Sequence, residues 1–223
     1  MAPAPQPEST CWTVIRAGAT GSQPDREELA RRYLLVVRAY LSARWRGSTW
    51  REHVDDATQE VFIECFRQGG ALQAVADGRV SQFRSFLYGV VRNVARRFEA
   101  KSQAGAEPLP DLEAKEPSLS RFFDRAWAES LMMEAAQLQK SRAVEQGTEA
   151  LQRVELLRLR FQEQLPIREI ARRWNVEPAR VHHAYAQASQ EFRAALLTVV
   201  AFHSPGSSAE VEREAADLLR TLS

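Results

Sequence analysis

The stretch Gln82–Lys101, QFRSFLYGVVRNVARRFEAK, decides how the chain is read. Its apolar residues Phe83, Phe86, Leu87, Val90, Val91, Val94 and Phe98 recur at the spacing of one side of an α-helix, so that side is expected to be core. The opposite side carries Arg84, Tyr88, Arg92 and Arg96 at four-residue steps, with Asn93 and Arg97 beside them. Guanidinium groups, an amide and an aromatic ring offered to solvent on one face suit a nucleic-acid backbone with unpaired bases. Arginine neutralises phosphate, while rings and amides stack on bases or hydrogen-bond to their edges. The pattern is equally that of a solvated, arginine-rich helix surface.

A chain of 223 residues with 44% hydrophobic content holds one large domain or two small ones with real cores. Its net charge of +1 conceals an asymmetry. Between Arg79 and Lys101 the charges are basic apart from Glu99, whereas between Glu107 and Glu134 acidic residues outnumber basic ones. Such blocks point to a local anionic partner rather than to a globally basic protein. Cys11 and Cys65 form no disulfide framework and no zinc spacing, and neither a secretory segment nor a membrane-spanning run is read. The expected compartment is the cytoplasm.

Taken in order, residues 1–23 read as a disordered segment, proline- and alanine-rich at first, with an apolar patch at Trp12–Ile15 able to dock on the first domain. Pro24 and Asp25 open a helix with a stripe of Leu29, Tyr33, Val36, Val37, Tyr40 and Leu41, ended by Gly47 and Ser48. A second helix is expected from Trp50 to Phe66, burying Val54, Ala57, Val61, Phe62 and Cys65 and gathering Asp56, Gln59, Glu60 and Glu64 outside. An acidic face beside a basic one suggests two partners of opposite sign, unless Asp56 and Glu60 merely pair with nearby arginines. Gln68–Ser81, with Gly69, Gly70 and Gly78, connects the two helices. Gly105, Pro108, Pro110 and Pro117 mark 102–120 as a linker. The fold expected is all-α: a domain at 24–101, the acidic proline-containing linker, a second domain at 121–200 and a helical extension at 201–223.

The second informative stretch is Leu156–Phe192, LLRLRFQEQLPIREIARRWNVEPARVHHAYAQASQEF. Pro166 fits the first turn of a short helix bearing Ile167, Ile170, Ala171 and Trp174; Asn175 and Val176 make a turn, and Pro178 opens a further helix. That spacing is a helix-turn-helix pattern. Its solvent face would present Arg180, His182, His183, Gln187 and Gln190 to phosphates or base edges. A metal at the paired histidines is disfavoured, because consecutive residues diverge by about 100° on a helix and no third ligand lies nearby.

Together the two sites resemble a bacterial RNA polymerase sigma factor of the extracytoplasmic-function group. The resemblance rests on DDATQEVF at Asp55–Phe62, FRSFLYGVVRNVARR at Phe83–Arg97 and LPIREIARRW at Leu165–Trp174, in the family's order. It implies that Asp55, Asp56, Gln59 and Glu60 bind the clamp of core RNA polymerase. It implies that Arg84, Tyr88, Arg92, Asn93, Arg96 and Arg97 face the opened minus-10 promoter element, with the glycine-bearing loop helping to trap a flipped base. Arg168, Arg180, His182, His183 and Gln187 would meet the minus-35 major groove. No cofactor, catalytic group or membrane insertion is implied, and an anti-sigma or other regulatory protein is an expected partner. Two features depart from the family. The last helix is poor in lysine and arginine after His183, which predicts weak minus-35 binding and a shallow salt slope. A tail with a capping box at Ser207 and Glu210 precedes Val211, Ala215, Leu218, Leu219 and Leu222. It either completes a core or holds the protein inactive or binds a regulator, in which case deleting Ser204–Ser223 raises transcription. The alternative function is a free-standing helix-turn-helix regulator of duplex DNA. No phosphate loop, metal constellation or nucleophile with a nearby base points to an enzyme.

Overall fold

The computed structural model describes residues 11–67, 70–72, 82–102 and 116–222. The chain is all-α. It divides into two compact units, one made of residues 1–130 with 201–223 and the other of 131–200.

In the first unit, α1 (Cys11–Ala19) and α2 (Gln23–Arg44) lead into a 3-10 turn at Thr49–His53 and then α3 (Val54–Phe66) and α4 (Phe83–Ser102). The region expected to be disordered up to residue 23 therefore contains a helix from Cys11. Cys11, Val14 and Ile15 are buried, and that apolar stripe is what fixes the helix in place. Residues 1–10 lie outside the described residues. The second helix begins four residues later than Trp50, because Trp50 itself sits buried in the 3-10 turn. α3 buries Val54, Ala57, Thr58, Val61 and Cys65, with Phe62 only half-buried. Just beyond α3 the chain doubles back at Gly70, where an added Cβ would lie 2.5 Å from the Glu64 carbonyl oxygen. The rest of the expected Gln68–Ser81 loop is outside the described residues, apart from Ala71 and the buried Leu72.

α4 buries Phe83, Leu87, Val90, Val91, Val94, Ala95 and, at its far end, Glu99. Glu99 is not a stray acid in a basic run. Arg44 donates from Nε and Nη2 to its two carboxylate oxygens at 2.7 and 2.9 Å, and Trp45 Nε1 donates at 2.8 Å. Burial, the largest single influence, disfavours the charged guanidinium, but the hydrogen bonds and charges of Glu99 and Tyr40 together outweigh it and hold Arg44 above its ordinary pKa. This buried pair ties the end of α2 to the end of α4. Both cysteines are free and buried, and burial pushes each thiol up to about 12, leaving no thiolate for chemistry near neutral pH.

The remaining helices are α5 (Glu116–Gln146), α6 (Thr148–Phe161), α7 (Ile167–Trp174), α8 (Pro178–His203) and α9 (Ser208–Leu222). The linker read at 102–120 and the domain start at 121 do not coincide with a change of unit, because α5 already runs from Glu116 and buries Leu119, Phe123, Trp127 and Ala128 in the first unit. Residues 103–115 are outside the described residues. The tail at 201–223 also belongs to the first unit. His203, 4% exposed, has its Nδ1 2.9 Å from the Tyr33 hydroxyl, and its carbonyl accepts from Cys11 Sγ at 3.2 Å. α9 buries Val211, Ala215 and Leu218, and its first turn is closed by the expected capping box. The Ser207 N–H and hydroxyl both reach Glu210 Oε2, at 2.7 and 2.8 Å, and the Glu210 N–H returns to Ser207 Oγ at 3.4 Å.

In the second unit, Leu156, Leu159, Ile170, Ala171 and Val181 form a small core from α6, α7 and α8, packed around by Leu165, Ile167, Trp174, Val176, Ala184 and Tyr185. α7 stops at Asn175, which is left-handed with φ 52°. The Asn175 N–H bonds the Arg172 carbonyl at 3.2 Å and the Val176 N–H bonds that of Ala171 at 3.0 Å, a Schellman closure in which Val176 caps the apolar contact. Asparagine tolerates this backbone, which is why a turn forms there without glycine.

Candidate functional site

On α3, the carboxylates differ in how far they are engaged. Asp55 accepts Arg38 at 2.9 Å from α2. Glu64 accepts both Arg67 at 2.8 Å and Arg97 of α4 at 3.0 Å, and Glu60 lies 4.0 Å from the same Arg97. Asp56 is 72% exposed at its side chain and, among the described residues, has only the His53 ring as a charged-group neighbour, at 3.9 Å. Gln59 is exposed beside it. The plainer reading, that Asp56 and Glu60 pair with nearby arginines, thus applies in part to Glu60 and not to Asp56; the arginine pair at Asp55 was not foreseen, and Asp56 and Gln59 stay open to solvent. The Asp55 and Glu60 pairs are exposed and of the weak kind that a partner can exchange, whereas Glu64 keeps only 17% side-chain exposure.

The face of α4 opposite its core departs from expectation. Asn93 and Arg97 are exposed, but Arg84, Tyr88, Arg92 and Arg96 are half-buried. The Tyr88 ring is set edge-on against Phe123 of α5 and Tyr40 of α2, with centroids 5.2 and 5.5 Å apart. Arg84 Nε lies 3.6 Å from Asp124. Phe123 and Asp124 went unnoticed in the sequence as parts of this face. The available signal was the step Leu119, Phe123, Trp127, a buried stripe that begins before the expected domain start.

In the second unit, the arginines near the turn between α7 and α8 are largely occupied. Arg158 pairs with Glu155 and Glu163, Arg173 with Glu163, and Arg172 with Glu169. The Arg158 hydrogen bond holds Glu155 below the usual carboxylate range. Arg168, Arg180, His182, His183 and Gln187 are all exposed, and none of their side chains has a hydrogen-bond or ion-pair partner among the described residues. Arg168 belongs to α7, and the other four to the first three turns of α8. Tyr185 is half-buried, packed against the core of this unit.

The structure therefore brings Asp55, Asp56, Gln59 and Glu60 together on α3, next to Arg97 on α4, and brings Arg180, His182, His183 and Gln187 together on α8. Among the described residues no group of three or more His, Cys, Asp or Glu is placed to hold a metal ion. Among them, too, no helix is long and apolar enough to cross a membrane. No protein-family model matches the chain, and no curated protein is significantly similar to it.

Proposed function

We propose that the chain is a dissociable specificity subunit of bacterial RNA polymerase, of the extracytoplasmic-function sigma type that its motifs resemble. The observation that carries this reading is the exposed pair Asp56 and Gln59 on α3, set one helix away from the arginine-bearing α4. A protein that only bound DNA would gain nothing from a carboxylate patch there, since like charge repels phosphate. A protein that must grip a basic surface of a polymerase and DNA together uses both signs.

In this reading α3 docks on the polymerase. α4 receives the separated strand, where arginine neutralises phosphate and aromatic or amide groups offset the stacking that extruded bases lose. α8 meets duplex DNA through Arg180, His182 and His183, with few phosphate contacts and hence a shallow dependence on salt. The chemistry of RNA synthesis stays in the polymerase.

The test is selection of fragments from a random duplex DNA library by the chain with bacterial core polymerase and by the chain alone. The expected result is recovery of fragments sharing two spaced elements, only when core polymerase is present. Equal recovery by the chain alone would favour a free-standing regulator and contradict the proposal.

A further inference from the structure

The first turns of α5 lie on the part of α4 that the proposed function assigns to separated DNA. Phe123, 1% exposed, puts its ring against Tyr88 at 5.2 Å and 62°. The adjacent Asp124 puts a carboxylate 3.6 Å from Arg84, one helical turn before Tyr88. Flanking contacts hold this piece of helix in register. Trp127 stacks on Tyr33 at 5.4 Å and 7°, and Arg46 lies over the Phe122 ring at 5.7 Å.

Phe123 and Asp124 thus present a ring and an anion, side by side, to a ring and a guanidinium. An unstacked nucleotide presents the same two groups, its base and its phosphate, to single-strand sites built from aromatic and arginine side chains. We propose that Phe123–Asp124 is an internal nucleotide mimic that occupies the Arg84–Tyr88 part of the strand site until DNA displaces it. The inference rests on the reading of α4 as a strand-binding face. Asp124 and Arg84 keep 32% and 39% side-chain exposure, so the ion pair is one that solvent and phosphate can reach and exchange. As long as the mimic is seated, the apparent affinity for a single strand is reduced by the fraction of molecules in which the site is open.

The experiment titrates the full chain, at low salt, with a fluorescent single-stranded DNA oligonucleotide of random sequence. Asp124→Asn removes the mimic's anion. Glu129→Gln makes the same charge change on the same helix, at a residue paired with Arg125 rather than with α4. Phe123→Leu removes the ring and keeps an apolar side chain in the core. Asp124→Asn and Phe123→Leu are expected to bind about threefold more tightly than wild type, and Glu129→Gln to match wild type. Hydrogen exchange supplies a second reading: amides of Leu119–Trp127 should lose protection when the oligonucleotide saturates the wild-type chain.

Equal gains for Asp124→Asn and Glu129→Gln would reduce the effect to net charge and overturn the mimic. Unchanged protection at saturation would overturn it as well, with the functional reading intact. If no form of the chain binds the oligonucleotide while binding to core polymerase persists, the strand site on α4 is wrong and the mimic falls with it. Failure to bind polymerase at all would remove the functional reading itself.

Discussion

Glu99 shows what one side chain contributes. It sits 5% exposed between Arg44 and Trp45, and its removal would leave a buried guanidinium without its counter-charge. Breaking such a pair from one side costs about 3–5 kcal/mol, because the remaining charge stays desolvated. Glu99→Ala should therefore lower the unfolding free energy read from urea denaturation by an amount of that order, with far-UV circular dichroism showing helices retained below the transition. A loss under about 1 kcal/mol would mean that Arg44 escapes to solvent. Periodicity places Glu99 on the inner side, four residues after Ala95, yet a charged residue at a helix end reads as surface. The partner lies on another helix, and no spacing within α4 names it. What covers Tyr88 was hidden for the same reason. Its position on the face opposite the core was legible, but the Phe123 ring that covers it comes from a distant segment.

At the scale of elements, the helices were legible because apolar residues recur every three or four positions and because proline, asparagine and serine mark their ends. The 3-10 turn at Thr49–His53 was not, since nothing in TWREH distinguishes it from a first turn of α-helix. The tail was legible down to its cap. Glu210 is held below its ordinary value of 4.5, first by the Ser207 hydroxyl and then by the Ser207 N–H. A depressed folded pKa means the cap's contribution is present above 4.5 and is lost as pH falls through the folded value. By NMR, the Ser207 amide proton should titrate with a midpoint below 4.5, and a midpoint at or above it would show that the cap is not formed. What the tail packs into was not legible, because its apolar stripe specifies burial without specifying a partner. Leu218, 3% exposed, is expected to cost about 2–5 kcal/mol of stability on replacement by alanine, read by chemical denaturation. A near-zero cost would mark the tail as a loose appendage.

At the scale of the molecule, an all-α chain of nearly balanced charge separates its signs among surfaces: carboxylates on α3, guanidinium groups on α4, and a lightly basic, histidine-bearing face on α8. The order of these surfaces along the chain was legible, whereas the division into units was not. The acidic, proline-containing stretch looked like a boundary, but the stripe from Leu119 to Trp127 joins α5 to the first unit, and burial against a partner decides membership. The proposed function requires α3 to be made for a protein surface rather than for solvent. Its most direct test is a titration of purified bacterial core RNA polymerase with the wild-type chain and with Asp56→Lys/Glu60→Lys at low salt, with both proteins shown to be folded by circular dichroism. Wild type should bind and the double reversal should bind at least about tenfold more weakly, since like charges brought together at an interface cost several kcal/mol. A folded wild-type chain that ignores the polymerase, or a reversed chain that binds it equally well, would contradict the account.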